Sequence, residues 1–380
     1  MNKLKQLTSL LLPIILLLYG CSGDKQTLSP EQYFNGKSLV STIRYATLFD
    51  VYKTDGIRKV VVHSPFSDTV AAAVFYLVDS SKYKRFQSLK NVLPFPLTRV
   101  ALLSSTQLNA IYKLKLLKSV AGIADAKYIQ NREVKKLMAS GAIEEVSARG
   151  QLFTEKTIML NPQAIFFSPY QQGQSLPVKG KIATIPFFDF MEDSPLGRAE
   201  WIKFTAAFMG QQTKADSIFA AIETEYQQLE KTVASAHKNP TVFSGKYFNG
   251  QWFVPGGKSY MARLFAAAGA NYIWKNDSSR NSIPLDFEIV LQKAQNADYW
   301  RILGGLPDNN VYGGLLNQNK LYSHFKAFKN HHIIYCDPAA TAYFEKSTLE
   351  PQVLLKDFIF AFHPELLPGY KPVYYSVKLK

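Results

Sequence analysis

The chain has 380 residues, a formal net charge of +15, 47% hydrophobic residues and 13% aromatic residues. This length accommodates two ordinary domains, and the apolar content excludes an intrinsically disordered protein. No motif interleaves aromatic and basic residues as nucleic-acid-binding proteins do, so we expect no nucleic-acid partner. The positive charge favours either an anionic ligand held between basic lobes or an anionic lipid surface.

The first 21 residues are typical of a lipoprotein signal peptide. Two lysines precede the apolar run 10–18, which is shorter than the roughly 20 residues that a membrane-spanning helix requires. The run leads to a lipobox-like ending at Cys21, with a signal anchor as the alternative. We therefore predict lipid on Cys21, followed by a tether over 22–36. Lipidation would leave Cys336 without a disulfide partner, and neither the cysteines nor the six histidines have metal-site spacing.

The next segment predicts an N-terminal α/β lobe over 37–190. Apolar runs at 59–62 and 74–78 with turn residues between them favour an antiparallel strand pair. From residue 99 onwards, strands and helices alternate, which predicts a parallel sheet. The predicted elements are strands at 99–103, 120–123 and 181–186, and helices at 107–117 and 131–139.

A helical connection and a second α/β lobe follow. Apolar residues recur at helical spacing over 193–236, with a break near Gly210, so we predict an interlobe helix over 191–237 that is interrupted or kinked at this glycine. The C-terminal lobe would cover 238–380. Its predicted elements are strand 241–244, loop 245–259, helix 260–268, strand 299–303 and a closing helix at 350–362.

One segment occurs twice. Residues 152–167 align without a gap on residues 285–300, and Glu155 falls on Glu288. Each copy predicts a short helix with glutamate in its first turn, followed by an apolar strand. A first-turn glutamate stabilises a helix by roughly 0.3–1 kcal/mol through the helix dipole, and this alone could explain both. The repetition also favours a shared role for the two carboxylates.

Four stretches resemble the periplasmic iron-complex and vitamin B12 substrate-binding proteins of ABC importers. RVALLSST at 99–106 looks like the first strand and helix cap of that family, and EDSPLGRAEWIKF at 192–204 like the start of its interlobe helix. VPGGKSYMA at 254–262 is similar to its second-lobe ligand loop. HPELLP at 363–368 resembles the ending of lipoprotein members from Bacteroidetes-like bacteria.

The resemblance implies an α/β fold with two Rossmann-like lobes joined by a long rigid interlobe helix, the class III periplasmic binding protein architecture. It implies a monomeric binding protein that is not an enzyme, lipid-anchored to a bacterial membrane in the periplasm or exposed on the surface. The expected partners are an ABC permease dimer with its ATPase subunits. The expected ligand is a ferric siderophore, haem or cobalamin, and the sequence does not choose among them.

The resemblance also implies functional residues. Glu155 and Glu288 correspond to the family's permease-docking pair, one on each lobe. Candidates for ligand binding are the aromatic and basic residues of the lobe faces, namely Tyr170, Phe188, Phe190, Arg198, Phe248, Trp252, Lys258, Tyr260 and Tyr343. The chain has TAYF at 341–344 where relatives often have NDYW, which leaves ligand specificity open.

Two other functions remain as alternatives. A chelatase shares a related two-lobed architecture, but it would need a histidine near acidic residues in the cleft, and no such constellation is visible. A surface lipoprotein that binds haem, a glycan or a protein without an importer is the second.

Overall fold

The computed structural model describes residues 29–378 apart from residues 68, 90, 179, 181, 237 and 307–309. The predicted signal peptide with Cys21 and the first part of the predicted tether lie outside the described residues. Within the described part of the chain, no helix has the length and apolar character needed to cross a membrane.

A four-stranded sheet comes first. Its elements are β1 (Phe49–Thr54), β2 (Ile57–His63), β3 (Ala71–Asp79), the helical turn α1 (Ser80–Tyr83) and β4 (Val92–Phe95). Strands β2 and β3 pair antiparallel, which confirms the predicted pairing. Val60 and Val62 of β2 are fully buried, as expected for alternate residues that face one side of a sheet.

A six-stranded sheet forms the body of the N-terminal lobe, with strand order β10-β9-β5-β6-β7-β8. The strands are β5 (Val100–Leu102), β6 (Val120–Ala124), β7 (Glu144–Ala148), β8 (Gln151–Leu152), β9 (Ala164–Phe167) and β10 (Ala183–Pro186). The helices are α2 (Leu108–Lys113), α3 (Arg132–Ala139) and α4 (Thr154–Leu160). Neighbouring strands run parallel except β7 and β8, which confirms the predicted parallel sheet.

The helix predicted over 107–117 is shorter than expected. The Ser104 side chain caps a 3-10 turn at Ser105–Gln107, and α2 ends at Lys113. Lys115 has a φ of 61°, a left-handed conformation that cannot continue a right-handed helix. The predicted boundary was therefore wrong at its C-terminal end.

The connection between the lobes consists of two helices, α5 (Pro195–Met209) and α6 (Gln212–Val233), which meet at Gly210 as the sequence indicated. Gly210 has a φ of 73°, which suits a glycine at a helix C-terminus. The helices pack against each other: the Lys203 Nζ atom lies 3.6 Å from Asp216 Oδ1 and 4.7 Å from the Phe219 ring centroid. With 22 residues, α6 is about 33 Å long.

The C-terminal lobe contains two further sheets. Its strands are β11 (Thr241–Ser244), β12 (Tyr247–Phe248), β13 (Gln251–Pro255), β14 (Asn271–Tyr272), β15 (Ser282–Leu285), β16 (Tyr299–Leu303), β17 (Ile333–Cys336) and β18 (Ser376–Lys378). The larger sheet has the order β14-β11-β16-β17-β18, and the smaller has the order β12-β13-β15. The segment 245–259, predicted as a loop, therefore contains two strands, and that prediction was wrong.

The helices of this lobe are α7 (Tyr260–Ala267), α8 (Phe287–Ala294), α9 (Val311–Gln318), α10 (Lys326–Lys329), α11 (Tyr343–Lys346) and α12 (Pro351–Phe362). The helices predicted at 260–268 and 350–362 are confirmed as α7 and α12. Further 3-10 turns occur at Leu117–Ser119, Ala126–Tyr128, Asp189–Met191, Lys320–His324, Ser347–Leu349 and Pro364–Leu366.

Helix α5 separates two apolar cores. Trp201, Phe204 and Phe208 belong to the core of the N-terminal lobe, whereas Ile202 and Ala206 belong to that of the C-terminal lobe. Apart from the partly exposed Arg198, every residue of α5 is buried, as expected for a helix that packs against a core on each side.

Two buried carboxylates attach the N-terminal sheet to α5. Glu200 accepts hydrogen bonds from the backbone N–H groups of Tyr45 and Ala46 at 2.7 and 3.0 Å. Glu192 accepts from Thr47 and Leu48 at 3.0 Å each. Because charge-assisted hydrogen bonds of this kind are stronger than neutral ones, the sheet has a defined position relative to the lobes.

Candidate ligand site between the lobes

The carboxyl ends of the parallel strands provide the polar residues that lie between the lobes. In the N-terminal lobe, Gln107 follows β5, Tyr170 follows β9 and Asp189 follows β10. In the C-terminal lobe, Arg301 lies on β16 and Tyr343 begins α11 after β17. Ligands of open α/β sheets bind at this edge of the strands, which makes it the candidate site.

Direct contacts connect the two faces. The Arg198 guanidinium, from α5, donates to the backbone carbonyls of Asp189 at 3.0 Å and Phe190 at 2.6 Å. The same guanidinium carbon lies 4.1 Å from the ring centroid of Tyr260 at the start of α7. A planar cation that bonds one lobe and stacks on an aromatic ring of the other fixes their relative position.

A second set of contacts closes one side of the groove. The buried Glu345 carboxylate accepts the backbone N–H of Asn131 at 3.0 Å and also that of Gln130. Asn109 Nδ2 donates to the Lys346 carbonyl at 2.6 Å. A cavity of about 700 Å³, lined by α2, the start of α3 and residues of the 342–350 segment, lies beside these bonds.

The N-terminal face holds buried acceptors without donors. Asp189 is 2% exposed, and its Oδ1 has no hydrogen-bond partner among the described residues. Gln107 is equally buried, and within the described structure its Oε1 is also unpartnered. Burial raises the pKa of the Asp189 carboxyl to about 6, against the opposing influence of Arg198 and the Thr106 hydroxyl. This edge can therefore accept hydrogen bonds from a ligand or from water.

The C-terminal face holds a buried cation. Arg301 is 8% exposed, and it donates from Nη1 to Ser244 Oγ at 3.2 Å and from Nη2 to the Tyr375 hydroxyl. Over the described ranges no carboxylate pairs with it, and its Nε has no partner. A buried charge without a counter-ion is unfavourable unless something else compensates it, so this face is suited to an anion.

Tyrosines surround the two arginines. Burial raises the pKa of the Tyr260 phenol; Tyr343 acts in the same direction, whereas Arg198 and Arg301 oppose it. The three tyrosines Tyr260, Tyr343 and Tyr375 are buried. The candidate site thus combines two cations with phenol hydroxyls, a set that can bind oxyanions or the phenolate and carboxylate groups of a chelate.

The structure brings some of the sequence-predicted ligand residues together. Arg198 contacts Tyr260 and the Phe190 carbonyl as described above, and the Tyr170 and Phe190 ring centroids are 5.4 Å apart. Tyr170 is 76% exposed, so its ring is available to a ligand. Phe188 and Tyr343 are buried. Lys258 and Phe248 are exposed, and Phe248 lies on the smaller sheet rather than among the residues around Arg198.

The structure contradicts the predicted role of Trp252. Its side chain is fully buried, and its Nε1 donates to the Ser244 carbonyl at 3.0 Å. It packs against Phe287, Trp300 and Phe325 at ring-centroid distances of 5.7 to 5.8 Å. It is therefore a core residue of the C-terminal lobe.

Sequence reasoning missed Gln107, Asp189 and Arg301. Arg301 was visible as a charged residue inside the apolar strand sequence YWRIL, and Asp189 as a lone acid inside FFDF. A charge within an apolar run is a signal for a buried functional group.

The two glutamates of the repeat lie at matching places. Glu155 is in the first turn of α4, which precedes β9, and Glu288 is in the first turn of α8, which precedes β16. Strand β9 pairs with β5, and β16 pairs with β11. In chain order, β5 and β11 are the first strands of the two large sheets. Both glutamates are exposed. Neither has an ion-pair partner in the part of the chain that the structure describes.

Exposed apolar side chains flank both glutamates. Ile158 and Met159 of α4 are 45% and 85% exposed, Ile289 of α8 is 38% exposed, and Phe253 of β13 is 45% exposed. Exposed apolar side chains on the elements that carry the glutamates favour a protein-binding surface.

Comparisons with known proteins agree with this architecture. Residues 100–340 match the family model described as periplasmic binding protein. An uncharacterized lipoprotein of Methanocaldococcus jannaschii is 28% identical over 293 residues, covering 74% of this chain and 68% of the relative. A second uncharacterized lipoprotein of that organism is 24% identical over the full length of both chains.

Solved structures show the same fold. A periplasmic heme binding protein from Pseudomonas aeruginosa has a TM-score of 0.58 at 16% identity, over 75% of this chain and 99% of that one. IsdE from S. aureus, complexed with heme, has a TM-score of 0.55 at 19% identity, over 70% and 99%. The TroA-like periplasmic binding protein FepB from Veillonella parvula has a TM-score of 0.55 at 20% identity, over 74% and 89%.

Proposed function

The chain belongs to the periplasmic binding protein family, and we propose that it captures a metal chelate between its lobes and delivers it to an ABC importer. Members of this family bind solutes and are not enzymes. The observation that carries the proposal is the stacking of Arg198 on Tyr260, together with the buried Arg301 on β16. Cations and phenols at this position suit a ligand that presents oxygen anions.

The proposed ligand is an anionic iron complex, either a ferric siderophore or haem. Cobalamin, which has no net charge, is the third candidate. Arg301 favours the anionic members because it is buried without a carboxylate partner among the described residues. Structural relatives described as binding heme support the same class. Within the described residues, no group of histidines, cysteines and acids is placed to hold a metal ion.

The proposed partner is a permease dimer with its ATPase subunits. Glu155 and Glu288 occupy equivalent first-turn positions on the two lobes and are exposed. A carboxylate on each lobe can pair with an arginine on each half of a two-fold partner, and such pairs are strong and directional. The exposed apolar side chains around each glutamate would add buried area to the contact.

We further propose that lipid on Cys21 anchors the protein to the outside of a bacterial membrane. Support comes from the signal-like sequence of residues 1–21 and from two relatives that are named lipoproteins. Mass determination of the protein extracted from host membranes would detect the added lipid, and a Cys21→Ser variant should lose it.

A ligand panel tests the function. The purified protein is titrated with haemin, a ferric tricatecholate and cyanocobalamin, and binding is followed by tryptophan fluorescence and by native mass spectrometry. We expect submicromolar binding of at least one anionic chelate, at a ratio of one to one. Binding of none of the three, together with retention of a glycan or a protein from the host, would favour a surface lipoprotein that works without an importer.

A further inference from the structure

The N-terminal sheet lies outside the matched region 100–340, and residues beside its β2–β3 turn line a cavity together with Arg280 of the C-terminal lobe. The hairpin tip, defined here as residues 64–67 and 69–72, connects β2 with the beginning of β3. The β2–β3 register shifts at Val62 and His63, immediately before the tip. Bulges of this kind redirect a strand and are common beside functional sites.

One cavity lies between the hairpin tip and the N-terminal lobe. It measures about 300 Å³ and is bounded by Phe66 and Val70 of the tip and by Pro169 and Phe188 after β9 and β10. The Phe66 and Phe188 rings pack edge to face with centroids 6.0 Å apart. Glutamine side chains of the 171–174 segment provide its polar groups. This cavity suits an apolar ring or alkyl arm with neutral hydrogen-bonding groups at its edge.

A second cavity lies on the other side of the same tip. It measures about 370 Å³ and is lined by Ser64, Ser67 and Thr69 of the tip, by Arg280 of the C-terminal lobe, and by Thr47 and His63, whose ring is bonded to Asp50. The lining contains no carboxylate among the described residues. Arg280 lies 3.6 Å from Asp193, and its side chain is 66% exposed, so its charge remains available to an anion. Hydroxyls and one guanidinium suit a carboxylate or another oxyanion.

The tip therefore separates an apolar cavity from an anion-accepting one, and Ser64, Ser67, Val70 and Ala71 line both. Val70 is 63% exposed, so its side chain is accessible at the boundary of the two cavities. The bonds from Glu192 and Glu200 to residues 44–48 hold the sheet against α5, so the tip has a fixed position.

We propose that the hairpin tip is a specificity element that receives the periphery of the ligand, an apolar ring or arm in the first cavity and its carboxylate or other oxyanion at Arg280. This inference rests on the proposed function and deepens it, since it assigns ligand recognition to a sheet that lies outside the matched family region. Arg280 reaches the tip from the opposite lobe, so an occupied second cavity also connects the lobes.

Two variants test the tip. Arg280→Gln removes the cation, and Val70→Asp places a negative charge between the two cavities and beside Arg280. Loss of a charged hydrogen bond should weaken binding of haemin or the ferric tricatecholate about tenfold in Arg280→Gln. Val70→Asp should weaken it further, because the new carboxylate both competes for Arg280 and repels the anion.

Matched controls carry the same changes elsewhere. Arg149→Gln alters an exposed arginine in the β7–β8 turn, and Val40→Asp alters a valine that is 83% exposed. Both should bind the chelates as the wild type does, and all four variants should keep the wild-type melting temperature.

The outcomes separate the two proposals. If a chelate binds but Arg280→Gln and Val70→Asp match their controls, the tip does not contact ligand and the inference is overturned, while the proposed function stands. If cyanocobalamin alone binds the wild type, the assignment of an anionic chelate to Arg280 is overturned, while the proposed function stands. If none of the three chelates binds, the proposed function fails and the inference fails with it.

Discussion

The Arg198 guanidinium carbon lies 4.1 Å from the centre of the Tyr260 ring, and this contact joins the two lobes. Two of the donors of Arg198 are bonded to the carbonyls of Asp189 and Phe190. The side chain was expected to meet the charge of a ligand. Its bonds within the protein indicate that it also positions the backbone of Asp189 and Phe190.

We predict that Arg198→Lys destabilises the protein although the charge is kept. A lysine cannot form both carbonyl bonds and stack as a plane, so the free energy of unfolding should fall by about 1–2 kcal/mol. Urea denaturation measures this. Arg149→Lys, in an exposed turn, is the control and should be neutral. Equal stability of the two variants would show that the Arg198–Tyr260 contact contributes nothing.

The stability of the protein should depend on pH through Asp189. Burial raises its pKa in the folded protein to about 6 from 3.8, so the folded state holds the proton more tightly than the unfolded state. This tighter proton binding stabilises the folded protein fully below about pH 3.8, and the stabilisation is lost as the pH rises through about 6. Arg198 and Glu192 are the charged neighbours, and they act in opposite directions.

Asp189→Asn should remove this dependence. Relative to the wild type, the variant should gain up to roughly 3 kcal/mol of unfolding free energy between about pH 4 and pH 7, since each pKa unit corresponds to about 1.4 kcal/mol. Chemical denaturation at a series of pH values measures the difference. Asp286→Asn, which changes an exposed carboxylate, is the control. A difference between Asp189→Asn and the wild type that does not vary with pH would contradict the raised pKa.

Sequence periodicity predicted the parallel sheets and most helices because those features are local or repeat along the chain. The caps of α3 and α7 show how local such signals are, since Asn131 and Ser259 bond N–H groups two or three residues ahead. The strands β12 and β13 were missed because β12 has two residues and β13 forms its ladder with β15, about 30 residues further on. Such pairings depend on tertiary structure rather than on local pattern.

The site residues were harder to predict than the fold. Trp252 lies beside the Gly256-Gly257 turn, and a tryptophan beside a glycine turn is consistent with either a ligand loop or a core. The rings that bury Trp252 belong to Phe287, Trp300 and Phe325. These residues are distant from it in the sequence, so a local pattern does not reveal the contacts. The same holds for Arg301, whose lack of a carboxylate partner in the described structure is visible only in three dimensions.

The two glycines of that turn approach the protein itself rather than a ligand. A Cβ on Gly256 would lie 2.3 Å from the Ser279 carbonyl oxygen and 2.6 Å from that of Asn281. Gly256→Ala should therefore force the backbone apart and lower the unfolding free energy by about 1–3 kcal/mol. Gly305→Ala is the control, because a Cβ there meets no atom within 4 Å. Thermal denaturation distinguishes them, and equal melting temperatures would contradict the close packing.

Glu155 and Glu288 provide the last prediction. If each carboxylate pairs with an arginine of the permease, Glu155→Lys with Glu288→Lys should abolish delivery while leaving chelate affinity unchanged, because neither residue lies at the interlobe site. Loss of a buried charge pair at an interface costs about 2–5 kcal/mol, so each single reversal should already weaken complex formation more than tenfold. Co-purification with the permease and uptake of labelled chelate into vesicles measure the two steps.

The double variant Glu31→Lys with Glu365→Lys carries the same charge change at exposed positions and should transport normally. If the first pair also transports normally, the repeated glutamates only stabilise the first turns of α4 and α8 through the helix dipole.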